Sequence, residues 1–164
     1  MTPKGVATQP AKQKVESVFL RRSLSIYGGM KARAAELFIV NLPFSLEEFR
    51  AWLGARFDAD GVARCEYSGE MILAENFSVD HQTPISRSGR FDVKRLFALD
   101  NLALCTEKQN LRKGNMTKTE YEQFRRYVDC FAPEVQTAIW RKLEIGDVQR
   151  FSYFRRQKKE RGVR

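Results

Sequence analysis

The residues best suited to chemistry stand together at Asp80 and His81, where an apolar stretch ends in an acid followed by the one histidine of the chain. A carboxylate binds a hard cation through oxygen, and a neutral imidazole with a reference pKa of about 6.5 accepts a proton from water near neutral pH. This pair is suited to metal-assisted hydrolysis. Because consecutive strand residues point to opposite faces, both side chains serve one site only if the strand ends or distorts there. Pro84 favours such an ending.

The pair must be positioned by short strands and a following helix. Short extended pieces between Ala63 and Asp80 predict a small sheet. The apolar run 102–104 predicts a second strand, which leads into a helix that begins near Thr106 and ends at Gly114.

Helices are predicted on both sides of this unit. Apolar spacing indicates a helix over 12–26, a break at Gly28 and Gly29, and a second helix over 30–38. Two capping-box patterns, Ser45 with Glu48 and Thr117 with Glu120, predict the starts of later helices. The first of these is expected to span 46–56, and a last helix starts at Pro133.

Four polar segments occur in a defined order between residues 65 and 115. They are Cys65-Glu66-Tyr67-Ser68-Gly69-Glu70, Val79-Asp80-His81 with Pro84, Asp100-Asn101-Leu102, and Asn110-Leu111-Arg112-Lys113-Gly114-Asn115. In this order they resemble the HNH endonuclease family, whose strand, loop, strand and helix unit is called the ββα-metal motif. The resemblance implies an α+β fold in which a small ββα-metal core is flanked by N-terminal and C-terminal helices.

The resemblance also implies roles for four residues. His81 is expected to be the general base that activates water, and Asp80 a ligand of one Mg²⁺ or Mn²⁺. Asn101 is expected to hydrogen-bond the histidine segment and orient the imidazole. Asn110 is expected to complete the metal site, which makes the chain an H-N-N variant whose expected activity is hydrolysis of DNA phosphodiester bonds.

The sequence departs from those family members in which two Cys-x-x-Cys pairs hold a structural zinc. Cys65 is followed three residues later by Ser68, and Cys105 by Lys108. A tetrahedral zinc site needs four good ligands. We therefore expect no structural zinc, with the two cysteines acting as small apolar residues.

The charge distribution predicts a polyanionic partner. The 164 residues carry 29 Lys and Arg against 20 Asp and Glu, a net charge of +9, with seven basic groups and one acidic group in each of the segments 1–34 and 150–164. Such ends would give salt-sensitive phosphate contacts. The candidate nucleic-acid contacts are Lys113, Arg87, Arg90, Arg155 and Arg156.

Length and composition predict a single domain over 12–149, after a disordered segment 1–11 and before a basic tail 150–164. No run of about eighteen apolar residues indicates a membrane span, and no secretory signal is recognised, so a cytoplasmic location is expected. The oligomeric state stays open. Two alternative functions also remain, a non-catalytic nucleic-acid-binding module and a zinc-held protein-interaction domain.

Overall fold

Helices and short antiparallel strands alternate along the chain in the computed structural model, which describes residues 9–87 and 93–145. The helices are α1 (Gln9–Glu36), α2 (Leu46–Gly54), α3 (Val93–Leu96), α4 (Glu107–Lys113), α5 (Lys118–Val128) and α6 (133–145). The strands are β1 (Val62–Arg64), β2 (Met71–Leu73), β3 (Phe77–His81) and β4 (Leu102–Thr106). This mixture confirms the predicted α+β class.

The strands form two antiparallel pairs rather than one small sheet. β1 pairs with β2, and β3 pairs with β4 in a register that sets Phe77 opposite Thr106 and His81 opposite Leu102. The backbone N–H of Glu66 donates to the carbonyl of Leu104 at 2.9 Å, which links the loop after β1 to β4. Helix α4 packs against both β3 and β4.

Large apolar side chains between α1, α2 and the strands form one hydrophobic cluster. Its fully buried members include Phe49, Leu53, Ile72, Phe77, Phe97, Leu102, Leu104 and Tyr121. Each such side chain contributes about 1.5–3 kcal/mol by leaving water. The Phe77 ring lies 6.1 Å from the ring of Phe19 in α1, so the cluster fixes α1 against β3.

Helix α1 differs from the prediction in two ways. It continues through Gly28 and Gly29, where a break was expected, and it begins at Gln9, within the segment predicted to be disordered. Glycine lowers helix propensity by about 1 kcal/mol. Tyr27 and Met30, on either side of the two glycines, pack into the core and hold the backbone helical.

Local signals for the ends of the other helices are confirmed. The capping boxes at Ser45 and Thr117 are both present, with each hydroxyl accepting from the backbone of the glutamate three residues later. Gly114 ends α4 with a φ of 51°, a conformation that favours glycine. Helix α2 ends at Gly54, two residues before the predicted end.

No helix in the described part of the chain combines the length and apolar character needed to cross a bilayer. The predicted tail 150–164 and most of the predicted disordered segment 1–11 lie outside the described residues.

Candidate catalytic and metal site

The end of β3 carries the two residues on which the sequence prediction depends. Asp80 pairs with Ala103 and His81 with Leu102, so the ladder continues regularly through the histidine. The distortion that would bring both side chains to one face is absent from this strand. Since side chains alternate along a strand, Asp80 lies on the face that carries α4, and His81 lies on the face that carries Phe77 and α1.

The Asp80 carboxylate is held by two strong contacts on one oxygen. The Tyr67 hydroxyl donates to Oδ2 at 2.7 Å, and the Lys113 ammonium lies 2.8 Å from the same atom. The Asp80 side chain is 12% exposed. Burial, and next the Asp80 charge, raise the pKa of Tyr67, so its hydroxyl stays a donor at any physiological pH.

Lys113 corrects one prediction, because its side chain is fully buried and cannot contact a phosphate at the surface. Its ammonium also donates to the backbone carbonyl of His81 at 2.9 Å, and it lies 6.0 Å from the centre of the Tyr67 ring. Helical position alone placed Lys113 beside Asn110. It could not show that the side chain turns inward to bind the end of β3.

The His81 ring is buried and has a polar atom without a partner. The residue is 5% exposed, and its ring meets that of Phe97 edge-on at 5.2 Å between centres. Within the described chain, its Nε2 has no hydrogen-bond partner. Burial, then the positive charges of Arg33 and Lys113, lower the pKa of His81 to about 4, so the imidazole is neutral at pH 7.

Asn101 fastens the segment that follows His81. Its side-chain oxygen accepts from the backbone N–H of Thr83 at 2.9 Å, and its amide nitrogen donates to the carbonyls of Thr83 and Leu96 at 3.2 and 2.8 Å. Its backbone carbonyl also accepts from Gln82 N–H at 2.7 Å. These contacts act on the backbone beside the histidine rather than on the imidazole.

Asn110 reaches β3 from α4 on the Asp80 side. Its amide nitrogen donates to the Ser78 hydroxyl at 3.3 Å, and Ser78 shares a strand face with Asp80. The structure therefore brings Asn110 and Asp80 to one side of the sheet. His81 lies on the other side of the same strand.

Two side chains on this side of the sheet carry oxygens of the kind that binds hard cations. Among the described residues, the two polar contacts of the Asp80 side chain fall on Oδ2, which leaves Oδ1 and the neutral Asn110 amide oxygen as the candidate ligands. The Lys113 ammonium on the same carboxylate opposes a second positive charge. Within the described residues, no three or more His, Cys, Asp or Glu side chains cluster as a metal site.

Of the other predicted nucleic-acid contacts, Arg87 lies in the described part of the chain. The Arg87 guanidinium pairs with the Glu120 carboxylate on α5, and both side chains are 45% exposed. Arg90, Arg155 and Arg156 lie outside the described residues.

Two residues of the site were missed as such by sequence reasoning. The sequence predicts no role at the site for Tyr67 or Arg33, although Tyr67 donates to Asp80 and the Arg33 charge lowers the pKa of His81. Both are far from residues 80 and 81 in the chain. The signal available for Tyr67 was its place inside the first motif segment, while Arg33 had none.

Hydrogen bonds join the loop after β1 to β4, α4 and α5, near the positions of the incomplete cysteine pairs. Cys65 and Cys105 are buried free thiols. Glu66 accepts from Leu104 N–H at 3.0 Å through its side chain. Glu70 accepts from the Gln109 amide at 3.1 Å, and Gln109 in turn accepts from the Tyr121 hydroxyl.

In comparisons with known proteins, no family model matches the chain, and no curated protein or solved structure is significantly similar to it.

Proposed function

We propose that the protein is a divalent-metal-dependent endonuclease of the HNH type that hydrolyses phosphodiester bonds in DNA. The observation that supports this most is the buried Nε2 of His81, which has no partner among the described residues and lies one residue from Asp80, on whose strand face Asn110 of α4 packs. Buried polar atoms are almost always hydrogen-bonded, so an exception suggests a ligand or a reacting group.

Because β3 ends at His81, Asp80 and His81 can act on one phosphate from opposite faces of the strand end. In an in-line displacement the attacking water and the leaving oxygen lie on opposite sides of phosphorus. A phosphate bound across the end of β3 would have the imidazole on one side and the Asp80–Asn110 pair on the other. Bound Mg²⁺ or Mn²⁺ would supply stabilisation of charge on the phosphate and leaving oxygen.

His81 would take the proton of the attacking water at Nε2. A pKa of about 4 keeps this atom unprotonated at neutral pH, and a phosphate anion beside the ring would raise the pKa toward the range useful for a base. Because His81 is 5% exposed, DNA binding would have to open the end of β3 for a phosphate to reach Nε2.

Tyr67 and Lys113 would act through Asp80. Their two contacts fix Oδ2 and so set the direction of Oδ1, while the bond from Lys113 to the His81 carbonyl keeps the two catalytic side chains in constant relation. Asn101 would hold the backbone after His81 in a fixed position.

Plasmid cleavage tests the proposal. Supercoiled DNA with Mg²⁺ or Mn²⁺ should be cut by the parent chain, and His81→Ala should lower the rate by about 10²–10⁴-fold with DNA binding retained. Asn110→Ala should be partly rescued by higher metal concentration. Gln123→Ala, which removes an exposed amide on α5, is the matched control and should cut like the parent. Intact plasmid and intact short duplexes over a range of salt would refute the proposal.

The buried Lys113–Asp80 pair favours a second candidate, a nucleic-acid-binding module without catalysis. An ammonium at the carboxylate already neutralises the charge that a metal would need. This candidate predicts a gel shift that persists in EDTA, no cleavage when metal is restored, and no effect of His81→Ala. A zinc-held interaction domain would instead show stoichiometric zinc by elemental analysis.

A further inference from the structure

The turn that follows α1 exposes an apolar side chain in an unfavourable backbone conformation. Phe38 is 94% exposed and Val40 is 87% exposed, whereas Ile39 between them packs against the core. Phe38 has a φ of 61°, the one positive φ outside glycine among the described residues. Both the exposure and the left-handed backbone cost free energy for a phenylalanine.

The turn itself does not need this side chain. The Ile39 N–H donates to the Ala34 carbonyl at 2.9 Å, and the Phe38 N–H donates to the Ala35 carbonyl at 3.0 Å. A helix end with this bonding commonly has glycine in the left-handed position, where Phe38 stands. Glycine would keep the turn and remove both costs, so the ring is unexplained by folding.

The turn lies at the same end of the molecule as the catalytic residues. Arg22 of α1 donates to the carbonyl of Phe77, the first residue of β3, at 2.6 Å. From Arg22 to Arg33, α1 rises about 16 Å, and β3 extends about 13 Å from Phe77 to His81. The Arg33 charge acts on His81, so the helix and the strand run side by side in the same direction.

The charge of α1 favours a nucleic acid as the occupant. Its 28 residues include Lys12, Lys14, Arg21, Arg22, Lys31 and Arg33 against Glu16 and Glu36. Lys31 and Arg33 are exposed in the last two turns before Phe38. An aromatic tip beside basic groups matches the way in which side chains enter a base step while cations hold the adjacent phosphates.

We propose that Phe38 is a wedge that inserts between base pairs of duplex DNA beside the cleavage position. This inference rests on the proposed function, because the DNA is the substrate of the same site. Insertion would unstack one step and bend the duplex toward the end of β3. Val40 would pack against the sugar edge of that step.

Two variants separate the wedge from the turn. Phe38→Gly removes the ring and suits the positive φ, whereas Phe38→Trp keeps a flat aromatic surface. Leu24→Ala is the matched control, since Leu24 is an exposed apolar residue of α1. Binding is measured in EDTA, which prevents metal-dependent cleavage, with duplexes that carry 2-aminopurine in place of adenine.

If Phe38 is a wedge, the Phe38→Gly variant should have a melting temperature equal to or above that of the parent. It should bind duplex DNA about tenfold more weakly than the parent does. The loss should be similar at every salt concentration, because stacking releases no counterions. The rise in 2-aminopurine fluorescence, which reports unstacking, should disappear with glycine and persist with Phe38→Trp and Leu24→Ala.

Equal affinity and an equal fluorescence rise for Phe38→Gly and the parent would overturn the wedge, while plasmid cleavage by both would leave the proposed function intact. Loss of self-association in sedimentation, with DNA binding unchanged, would assign the turn to a contact between copies of the chain and also overturn it. A parent chain that neither binds nor cuts DNA would refute both proposals.

Discussion

At the scale of single residues, the site contains a buried positive charge on Lys113 that compensates the largely buried negative charge of Asp80. Lys113 satisfies the Asp80 carboxylate and the His81 carbonyl at once, and Tyr67 supplies a third polar contact. Sequence reasoning identified Asp80 and His81 because their types and order carry the signal. It could not predict the burial of Lys113, which depends on how α4 packs against β3.

Removing Lys113 should destabilise the fold strongly. Lys113→Met leaves the Asp80 charge poorly compensated, and breaking a buried pair in this way typically costs about 3–5 kcal/mol. Urea denaturation measures the change. Lys108→Met on the same helix is the control, since Lys108 is exposed, and it should change stability by about 0.5 kcal/mol or less.

Adding Asp80→Asn to Lys113→Met should restore part of the lost stability, because the uncompensated charge is then gone. If the double variant is as unstable as the sum of the single ones, the pair is not the source of the effect.

The buried imidazole should make stability depend on pH. His81 has a folded pKa of about 4 against about 6.5 when unfolded, so below pH 6.5 the unfolded chain binds a proton that the folded chain does not. The free energy of unfolding should therefore fall by about 3 kcal/mol as pH drops from 6.5 to 4. Melting temperatures in EDTA at pH 7.5 and 4.5 test this.

The His81→Leu variant should lose less stability than the parent over the same pH range. It has no imidazole to bind a proton in the unfolded chain, while its carboxylates titrate as in the parent. Equal pH dependence in the parent and His81→Leu would show that the folded chain protonates His81 as readily as the unfolded chain does.

At the scale of elements, helix ends were predictable because the residues that make them are neighbours in the chain. The capping box at Thr117 and the glycine stop at Gly114 each depend on a few adjacent positions. The continuity of α1 was not predictable. It depends on Tyr27 and Met30 packing onto residues that follow much later in the sequence.

Replacing the glycines inside α1 should stabilise the protein. A Cβ at Gly28 or Gly29 meets nothing within 4 Å, so alanine at either position should add about 0.5–1 kcal/mol through helix propensity and a less flexible unfolded chain. The melting temperature of each alanine variant, in which the proposed site is left unchanged, measures the effect.

Gly61→Ala is the contrasting variant. Gly61 has a φ of 73°, and a Cβ there would lie 2.7 Å from Cγ1 of Val15, so this change should lower the melting temperature. Stabilisation at Gly61, or destabilisation at both helical positions, would contradict the local geometry.

At the scale of the whole molecule, positive charge is concentrated at the two ends of the chain. Segment 150–164 carries seven basic groups and one acidic group, whereas segment 35–149 has fifteen basic and eighteen acidic groups. Composition alone predicted this asymmetry. The path by which α1 brings part of the charge beside β3 needed the tertiary structure, because Arg22 and Phe77 are distant in sequence.

Ending the chain at residue 149 should weaken DNA binding at all sequences and flatten its salt dependence. Each phosphate contact contributes about 0.9 to the slope of log affinity against log salt, so Arg155→Gln with Arg156→Gln should lower the slope by at most about 2. Fluorescence anisotropy measures the DNA affinity between about 50 and 300 mM salt, and these affinities give the slope. An unchanged slope would mean that the tail does not touch DNA.

The Lys113 ammonium connects α4 to the end of β3 through protein atoms alone. Since an ammonium already fastens the helix to the strand, the framework assembles without waiting for an inorganic ion. For the proposed nuclease, chelation should then stop cleavage reversibly and leave the fold intact, unlike a zinc finger, whose apo form is an unfolded chain.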